Sequence, residues 1–483
     1  MVDLRAILKQ KFGFDHFRPG QQEILKALLN HEDVLAVLPT GGGKTLLYQL
    51  YAIATHQRVI IVSPLISLMQ DQVSRLQYLG SKRVVALTSA MDFSERQTTL
   101  QHLEQYQFIY ASPEMLSNPQ VSRRLQELAV GLLVVDEAHC ISEWGPDFRP
   151  DYLKLGAVRK ALKQPLTLMM TATATQRTRN DIIDKMAMDR SAVTEIVMPV
   201  NRANIFLSVA KCENQPAKNQ LLMTLVDQFS GAGIVYFSSK AAAEQLADLI
   251  NAQTGKIAAA YHAGMDNPQR FRIQQQFMNG DVNVICATSA FGMGIDKNNV
   301  RFVIHYHMPG NVQNYMQEIG RAGRDSKPAV AVLLSEPNDQ YLQQNLIENN
   351  YPDDDTIRYL FKHPKQLAAN EAFRVIQYYY DRQQSADQTI RQLQHYRQMR
   401  RAELQKMIAY IDTVGCRRKF LLSVFDEPMP AEMNGSFCCD FHNPFWQEVA
   451  DFNHKYLDQG HDESRFSQND WRTTLNKLFL LKN

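Results

Sequence analysis

Five short apolar runs, DVLAVL, RVIIVS, FIYAS, GLLVVD and LTLMMT, recur through the first two hundred residues, each followed by polar or turn-forming text. Runs of this length without polar alternation belong to strands buried on both faces, the pattern of a parallel sheet covered by helices. The rhythm pauses between Pro199 and Asn204 and resumes with GIVYFSS, KIAAAYH, VNVICAT, RFVIHYH and AVAVLLS, so a second α/β unit is expected. Beyond about residue 340 the strand-like runs stop. Ile390, Leu393, Leu404, Met407, Ile408 and Ile411 then fall at spacings near three and four, ending at Gly415, which predicts a helical pair packed on its neighbours. The pattern divides the chain into an α/β domain over 1–200, another over 201–340, a helical region over 341–442 and a short helical tail over 443–483.

Composition narrows the class. At 483 residues the chain has room for two to four domains. With 45% hydrophobic and 21% charged residues, it matches neither a disordered nor a collagen-like chain. Lys and Arg number 52 against 50 acids, a net charge of +2, so any nucleic-acid contact must be local. There is no run of 18 apolar residues, and the start, MVDLRAILKQKFGFD, mixes acids and bases where a secretory signal needs a basic end and an apolar stretch. A cytoplasmic location and no membrane partner are expected. Six cysteines are too few for a disulfide scaffold.

The first candidate chemistry follows DVLAVL directly, in PTGGGKT. Thr40 and the glycines at 41, 42 and 43 can curl backbone N–H groups around phosphate oxygens, Lys44 supplies positive charge, and Thr45 offers a hydroxyl to Mg²⁺. Leu38 stands where the strict pattern asks for glycine, so the loop is a variant. Further on, VGLLVV ends in Asp136-Glu137-Ala138-His139, placing two carboxylates at the C-terminal edge of a buried strand, where α/β sheets bind ligands. Asp136 is positioned to hold Mg²⁺ and Glu137 to orient and deprotonate an attacking water. In the second unit, QEIGRAGRD carries Gln317 and sets Arg321 and Arg324 three apart, on one side of a helical turn. Two guanidinium forks suit a triphosphate, and an arginine finger reaching across a cleft makes hydrolysis depend on closure.

Taken in order, these residues resemble superfamily-two helicases and, within them, the RecQ family of DNA helicases, over about residues 12–442. Phe17-Arg18-Pro19-Gly20-Gln21 looks like the family's adenine-recognition motif, with Phe17, Arg18 and Gln21 at the base. SPLISLMQDQ, YASPEML, TATAT, VYFSSK, YHAGM and ATSAFGMGID resemble its other helicase motifs. The resemblance implies two tandem RecA-like domains, ATP and Mg²⁺ as cofactors, and movement 3′ to 5′ on single-stranded DNA. It also implies that Thr171 and Thr173 couple nucleotide state to DNA and that Asp296 reaches the ribose. CISEWGPDFRPDY looks like the family's aromatic-rich loop, which makes His139, Trp144, Phe148 and Arg149 the DNA-facing set: aromatics to stack on bases, Arg149 to meet a phosphate. DEAH and TATAT depart from the DEAD and SAT of DEAD-box RNA helicases, which favours single-stranded and forked DNA over RNA. An RNA helicase, or a DNA-binding scaffold with little unwinding, remain the rivals.

The C-terminal part resembles the start of the RecQ zinc-binding module, with Cys416 as first ligand. The family continues with cysteines each two residues apart, whereas this chain reads PheCysCysAspPheHisAsn. Cys416, Cys438, Cys439 and His442 are the candidate Zn²⁺ ligands, against a metal-free turn packed by Cys416 and Phe437. The 41 residues after His442 are too few for the winged helix and accessory domain of longer relatives, so a short form is expected. The tail, with Phe452 and Tyr456 in its first half and Trp471 and Leu475 beyond, reads as helices packing back on the body or as a surface for repair proteins. Arg397, Arg400, Arg401, Arg417 and Arg418 form either a DNA-facing stripe or a solvated helical face. His305 and His307 are read as core-edge residues.

Overall fold

The computed structural model describes residues 3–457 apart from 79, 90, 144–148, 293–296, 431–434, 436 and 445–448. Trp144, Phe148 and Asp296, with Trp471 and Leu475 of the tail, lie outside the described residues. Among those described, seven parallel strands form the first sheet: β1 Asp33–Val37, β2 Val59–Val62, β3 Val84–Leu87, β4 Phe108–Ala111, β5 Leu132–Val135, β6 Leu166–Thr171 and β7 Val193–Val197. Their order is β3-β4-β2-β5-β6-β1-β7. Six more form the second: β8 Ile205–Lys211, β9 Ala232–Tyr236, β10 Ala258–Tyr261, β11 Val284–Ala287, β12 Val300–His305 and β13 Ala329–Ser335, ordered β10-β11-β9-β12-β13-β8 and again parallel. Strands β2, β4, β5 and β11 are buried at every position, as their unbroken apolar text predicts.

Three strands were not legible in the hydrophobic pattern. Strand β7 lies at a sheet edge, and only its first residue, Val193, is buried. Strand β3 has only its two ends buried, and β8 starts directly after the stretch that reads as a pause. The edge strands β3 and β7 are covered only in part, whereas β8, also at an edge, is buried at all but its last residue.

Nine helices bear on the site: α1 Gln21–Leu29, α2 Lys44–Thr55, α3 His139–Glu143, α4 Val312–Ile319, α5 Gln340–Glu348, α6 Asp354–Lys362, α7 Arg374–Asp381, α8 Ala386–Asp412 and α9 Arg417–Val424. The periodic apolar set from Ile390 to Ile411 falls on the single 27-residue helix α8 and not on a pair; a capping box at Ser385 and Gln388 starts it. Leu404, Met407 and Tyr410 of α8 are buried in the core of the second sheet domain, beside Ile319 and Leu421. Burial of such side chains is worth about 2 kcal/mol each. The polar contacts of this region with the first domain, Arg400 to the Glu143 carbonyl and Arg374 to Asp151, are worth about 1 kcal/mol each. From Leu404 to Ile411 helix α8 is therefore anchored in the second domain; towards the first it has these polar contacts and the packing of Leu153 against the cluster of Ile390 and Leu393.

The arginines of this region each engage protein partners. Arg397 donates to the Tyr351 and Pro352 carbonyls, and Arg401 pairs with Glu348. Arg417 pairs with Asp440 and donates to the last carbonyls of α8, while Arg418 is buried. Phe452 packs against Phe206 of β8 with ring centroids 4.8 Å apart, so the described start of the tail folds back on the second domain. Among the described residues no helix is long and apolar enough to cross a membrane.

Candidate functional site

The first sheet sets the phosphate loop and the carboxylate pair at one edge. Strands β1 and β5 both flank β6, so their C-terminal loops meet on either side of Thr171, the last residue of β6. Main-chain hydrogen bonds fix this register: Leu38 N donates to Thr171 O, and Ala138 N to Met170 O. Lys44 opens α2, with Gly43 as N-cap at φ 74°, a conformation that glycine adopts without strain. A Cβ on Gly43 would collide with the amide of Gln21, so the glycine also permits that close approach.

Lys44 Nζ stands 3.3 Å from Glu137 Oε1, and both side chains are mostly buried. Glu137 adopts φ 49°, a left-handed conformation costly for a non-glycine residue and typical of functional sites. Its Oε2 lies 3.4 Å from His139 Nδ1 and makes no hydrogen bond of its own. Burial pushes Asp136 up to about 6 against the pull of Lys44. Burial also acts on Glu137, but Lys44 and then His139 outweigh it and hold that carboxyl below its usual value. The two adjacent acids are thus set apart, with Glu137 the more acidic of the two.

His139, expected among the DNA-facing residues, is instead buried behind the carboxylates, its Nδ1 3.0 Å from Thr171 Oγ1. Thr171 donates its hydroxyl to Thr173 O and so accepts from His139. His139 therefore ties Glu137 to the TATAT segment. Arg149 likewise departs from expectation. Its fork grips Glu114 through two 2.7 Å hydrogen bonds and its NH1 donates to Pro64 O, so the group expected to meet a phosphate staples its segment to the short helix Pro113–Ser117 and to the loop at Pro64.

Gln21 is 2% exposed, and its amide is used at both ends: it donates to Gly42 O at 2.9 Å and accepts from Arg18 N at 2.9 Å. Arg18 in turn donates to Gly41 O, and Phe17 packs on the core beneath. The segment expected at the base thus braces the phosphate loop.

From the second domain, α4 brings Gln317 and the turn with Arg321 and Arg324 to the same place. A Cβ on Gly41 would lie 3.6 Å from Arg324 Cγ, and one on Gly320 would lie 3.3 Å from Thr40 Oγ1, so the two domains touch at the phosphate loop. Arg321 is buried, donates to Gly292 O, and adds to the pull on Glu137.

Arg202, in the pause between the two strand-rich stretches, donates to the carbonyls of Gly320, Ala322 and Gly323 at 3.1, 3.1 and 2.6 Å, and to Thr40 O at 3.5 Å. Arg418 of α9 holds Asn201 Oδ1 and the Arg202 carbonyl at 2.8 and 2.9 Å. No motif spacing announces either residue; both act on backbone carbonyls that only the fold assembles.

The cysteine cluster lies beside β8, where Arg418 also donates to the Cys438 carbonyl. The ligand atoms of Cys416, Cys438, Cys439 and His442 all fall within 4.8 Å of one another. Two sulfur separations, 3.7 and 3.8 Å, match the edge of about 3.8 Å that a tetrahedral shell with Zn–S of about 2.3 Å requires. His442 Nε2 is buried without a hydrogen-bond partner, and the hydrogen bond from Cys438 draws Cys439 down to about 5. This donor set fits zinc. The same segment covers the edge of β8: Leu207 N donates to Cys438 O, Asp440 N donates to Leu207 O, and Asp440 Oδ2 accepts from Val209 N.

A cavity of about 360 Å³ opens at the C-terminal edge of the second sheet, lined in part by Ser238, Thr288, His307 and Gln343. His307 Nδ1 accepts from Ser238 N, and burial pushes its imidazole down to about 4. His305 bonds Glu318 at 2.8 Å.

Three stretches of the chain match known families: residues 18–182 the DEAD/DEAH box helicases, 217–326 the helicase conserved C-terminal domain, and 338–443 the RecQ zinc-binding domain. The probable ATP-dependent DNA helicase RecS of Bacillus subtilis is 37% identical over 500 residues, covering all of this chain and 99% of that protein. The ATP-dependent DNA helicase RecQ of Haemophilus influenzae is 39% identical over 346 residues, covering 71% of this chain; the match spans only 55% of that longer protein. Among solved structures, the DUF1998 helicase MrfA bound to DNA superposes with a TM-score of 0.60 at 18% identity, over 72% of this chain and 53% of that one. Saccharomyces cerevisiae Dbp5 bound to RNA and ADP BeF3 gives 0.57 at 18% identity, over 73% and 92%. At such identities the structural likeness shows the fold alone. With both sheet domains, the cysteine cluster and a full-length relative in agreement, the chain belongs to the RecQ family of helicases.

Proposed function

We propose that this chain is an ATP-dependent DNA helicase that hydrolyses ATP between its two sheet domains and moves 3′ to 5′ along single-stranded DNA, parting tailed and forked duplexes in repair and recombination. The observation that carries this reading is the convergence of Lys44, Asp136 and Glu137 from one domain with Arg321 and Arg324 from the other at a single phosphate loop. Thr45 and Asp136 would hold Mg²⁺, which when bound neutralises phosphate oxygens. Gly41, Gly42 and Gly43 surround the phosphates, and Lys44 leaves Glu137 for the γ-phosphate. That exchange frees the carboxylate to take a proton from water, and Arg324 meets the charge that develops. Gln21 and Arg18, already bonded to the loop, relay base occupancy to it. Asp296 serves the ribose, and Thr171 and Thr173, linked to Glu137 by His139, pass nucleotide state towards DNA. Trp144 and Phe148 stack on bases. Repair proteins dock through the tail beyond Leu457.

Equal-length single-stranded DNA and RNA test the substrate class. DNA is expected to raise ATP turnover at least tenfold more than RNA; stronger stimulation by RNA would make the chain an RNA helicase.

Zinc belongs at Cys416, Cys438, Cys439 and His442, where it would pin the strand-like segment that covers β8. Purified protein is expected to contain one zinc per chain, and His442→Ala to lose most of it along with several degrees of melting temperature. Metal-free protein of unchanged stability would restore the alternative of a packed turn.

A further inference from the structure

Helix α3 is a short rod with the ATP site at one end and the aromatic-rich segment at the other. His139, in its first turn, lies 3.4 Å from Glu137 Oε2, and its last residue, Glu143, directly precedes 144–148. The Glu143 carbonyl accepts a 2.6 Å hydrogen bond from Arg400 NH2 of α8. On the other side of the same segment, Asp151, 4% exposed, pairs with Arg374 of α7 at 2.9 Å. Both roots of residues 144–148 are therefore held by arginines of the C-terminal helical region: α8, which carries Arg400, is packed into the second domain from Leu404 to Ile411, whereas α7, which carries Arg374, belongs to a separate apolar cluster that also takes Leu153 of the first domain.

Helix α8 continues from Arg400 to Tyr410, ten residues or about 15 Å of rigid helix. There the Tyr410 hydroxyl lies 3.1 Å from that of Tyr315, both rings fully buried. Tyr315 sits on α4, one turn before the segment carrying Arg321 and Arg324. One helix thus touches the end of the rod from Glu137 and the helix that carries the arginines.

We propose that Arg400 is a positioning residue for DNA-dependent ATP hydrolysis. It holds the root of the aromatic-rich segment to α8, so that a strand engaged by that segment is felt at Glu137 through α3 and at the arginine turn through α8 and the Tyr410–Tyr315 pair. Arg374 braces the second root. The contact at Glu143 is a charged donor at a helix C-terminus, a favourable pairing that a small rotation of the second domain would break. This role rests on the reading that Trp144 and Phe148 sense DNA, and it gives the C-terminal helical region a part in coupling beyond holding zinc.

The test measures ATP turnover of the full chain against concentration of an oligothymidylate, for wild type, Arg400→Ala, Arg400→Lys and Trp144→Ala. Arg400→Ala is expected to keep its DNA-free rate within twofold and its half-stimulating DNA concentration within threefold, while losing at least tenfold in maximal stimulation. Arg400→Lys, which retains a cationic donor, should recover more than half of that loss. Equal loss of basal and stimulated rates would mean a structural role, and a change confined to the half-stimulating concentration would mean a direct DNA contact; either overturns the proposal. Full stimulation in Arg400→Ala with loss in Trp144→Ala sinks the coupling role alone. Full stimulation in Trp144→Ala sinks the aromatic-segment reading and the coupling role with it.

Discussion

Exchange of Arg324 for alanine is expected to slow DNA-stimulated ATP turnover by about a thousandfold while leaving nucleotide affinity within severalfold. A finger arginine acts on charge that grows as the γ-phosphate separates, so its removal raises the barrier by about 4 kcal/mol without a matching loss in ground-state binding. The geometry favours Arg324 for this role because its aliphatic stem already lies against Gly41. Arg202 holds the turn beneath it through three carbonyls. Arg324→Lys keeps the charge but not the planar fork, and should fall between wild type and alanine. Turnover measured beside binding of a fluorescent ATP analogue separates the two terms. Loss of affinity in proportion to rate would reassign Arg324 to nucleotide binding.

Glu137→Gln is expected to cost about a hundredfold to ten-thousandfold in turnover, the span usual for removing a general base. The substitution is isosteric and leaves a carbonyl oxygen facing Lys44, so ATP binding and closure should persist and only the proton-accepting step should be lost. Two features single out Glu137 over its neighbour: Lys44 and His139 hold it below its usual range while burial raises Asp136, and its Oε2 has no hydrogen bond of its own. Rapid-quench measurement of a single turnover checks this. A wild-type rate would place the base elsewhere.

Much of this was legible in the sequence, for physical reasons. Strands buried on both faces must be apolar throughout, so nine of them stood out as runs, together with the alanine-rich edge strand β10, and glycine-rich turns and paired acids after such runs have few other uses. Two of the missed strands, β3 and β7, have partial cover, while β8 is buried at all but its last position and was hidden by following the pause directly. The residues misjudged are those whose role depends on what lies across the fold. Arg149 reads as an exposed cation until Glu114 is seen against it. His139 reads as part of a DNA-facing segment until Thr171 closes on it. Arg202, Arg400 and Arg418 act on backbone carbonyls far away in sequence, which leaves no pattern to read. The cysteine spacing looked unfavourable because adjacent thiols usually diverge; here the chain turns at Cys438 and Cys439 as it pairs with β8, and both sulfurs reach the cluster.

The most direct measurement is strand release from duplexes carrying a single-stranded tail at either the 3′ or the 5′ end. If cleavage of ATP between the two domains drives the chain along one strand, wild-type protein with ATP and Mg²⁺ will release the 3′-tailed substrate in preference to the 5′-tailed one. Lys44→Ala will then release neither. Rapid ATP consumption with both duplexes left intact would contradict the account.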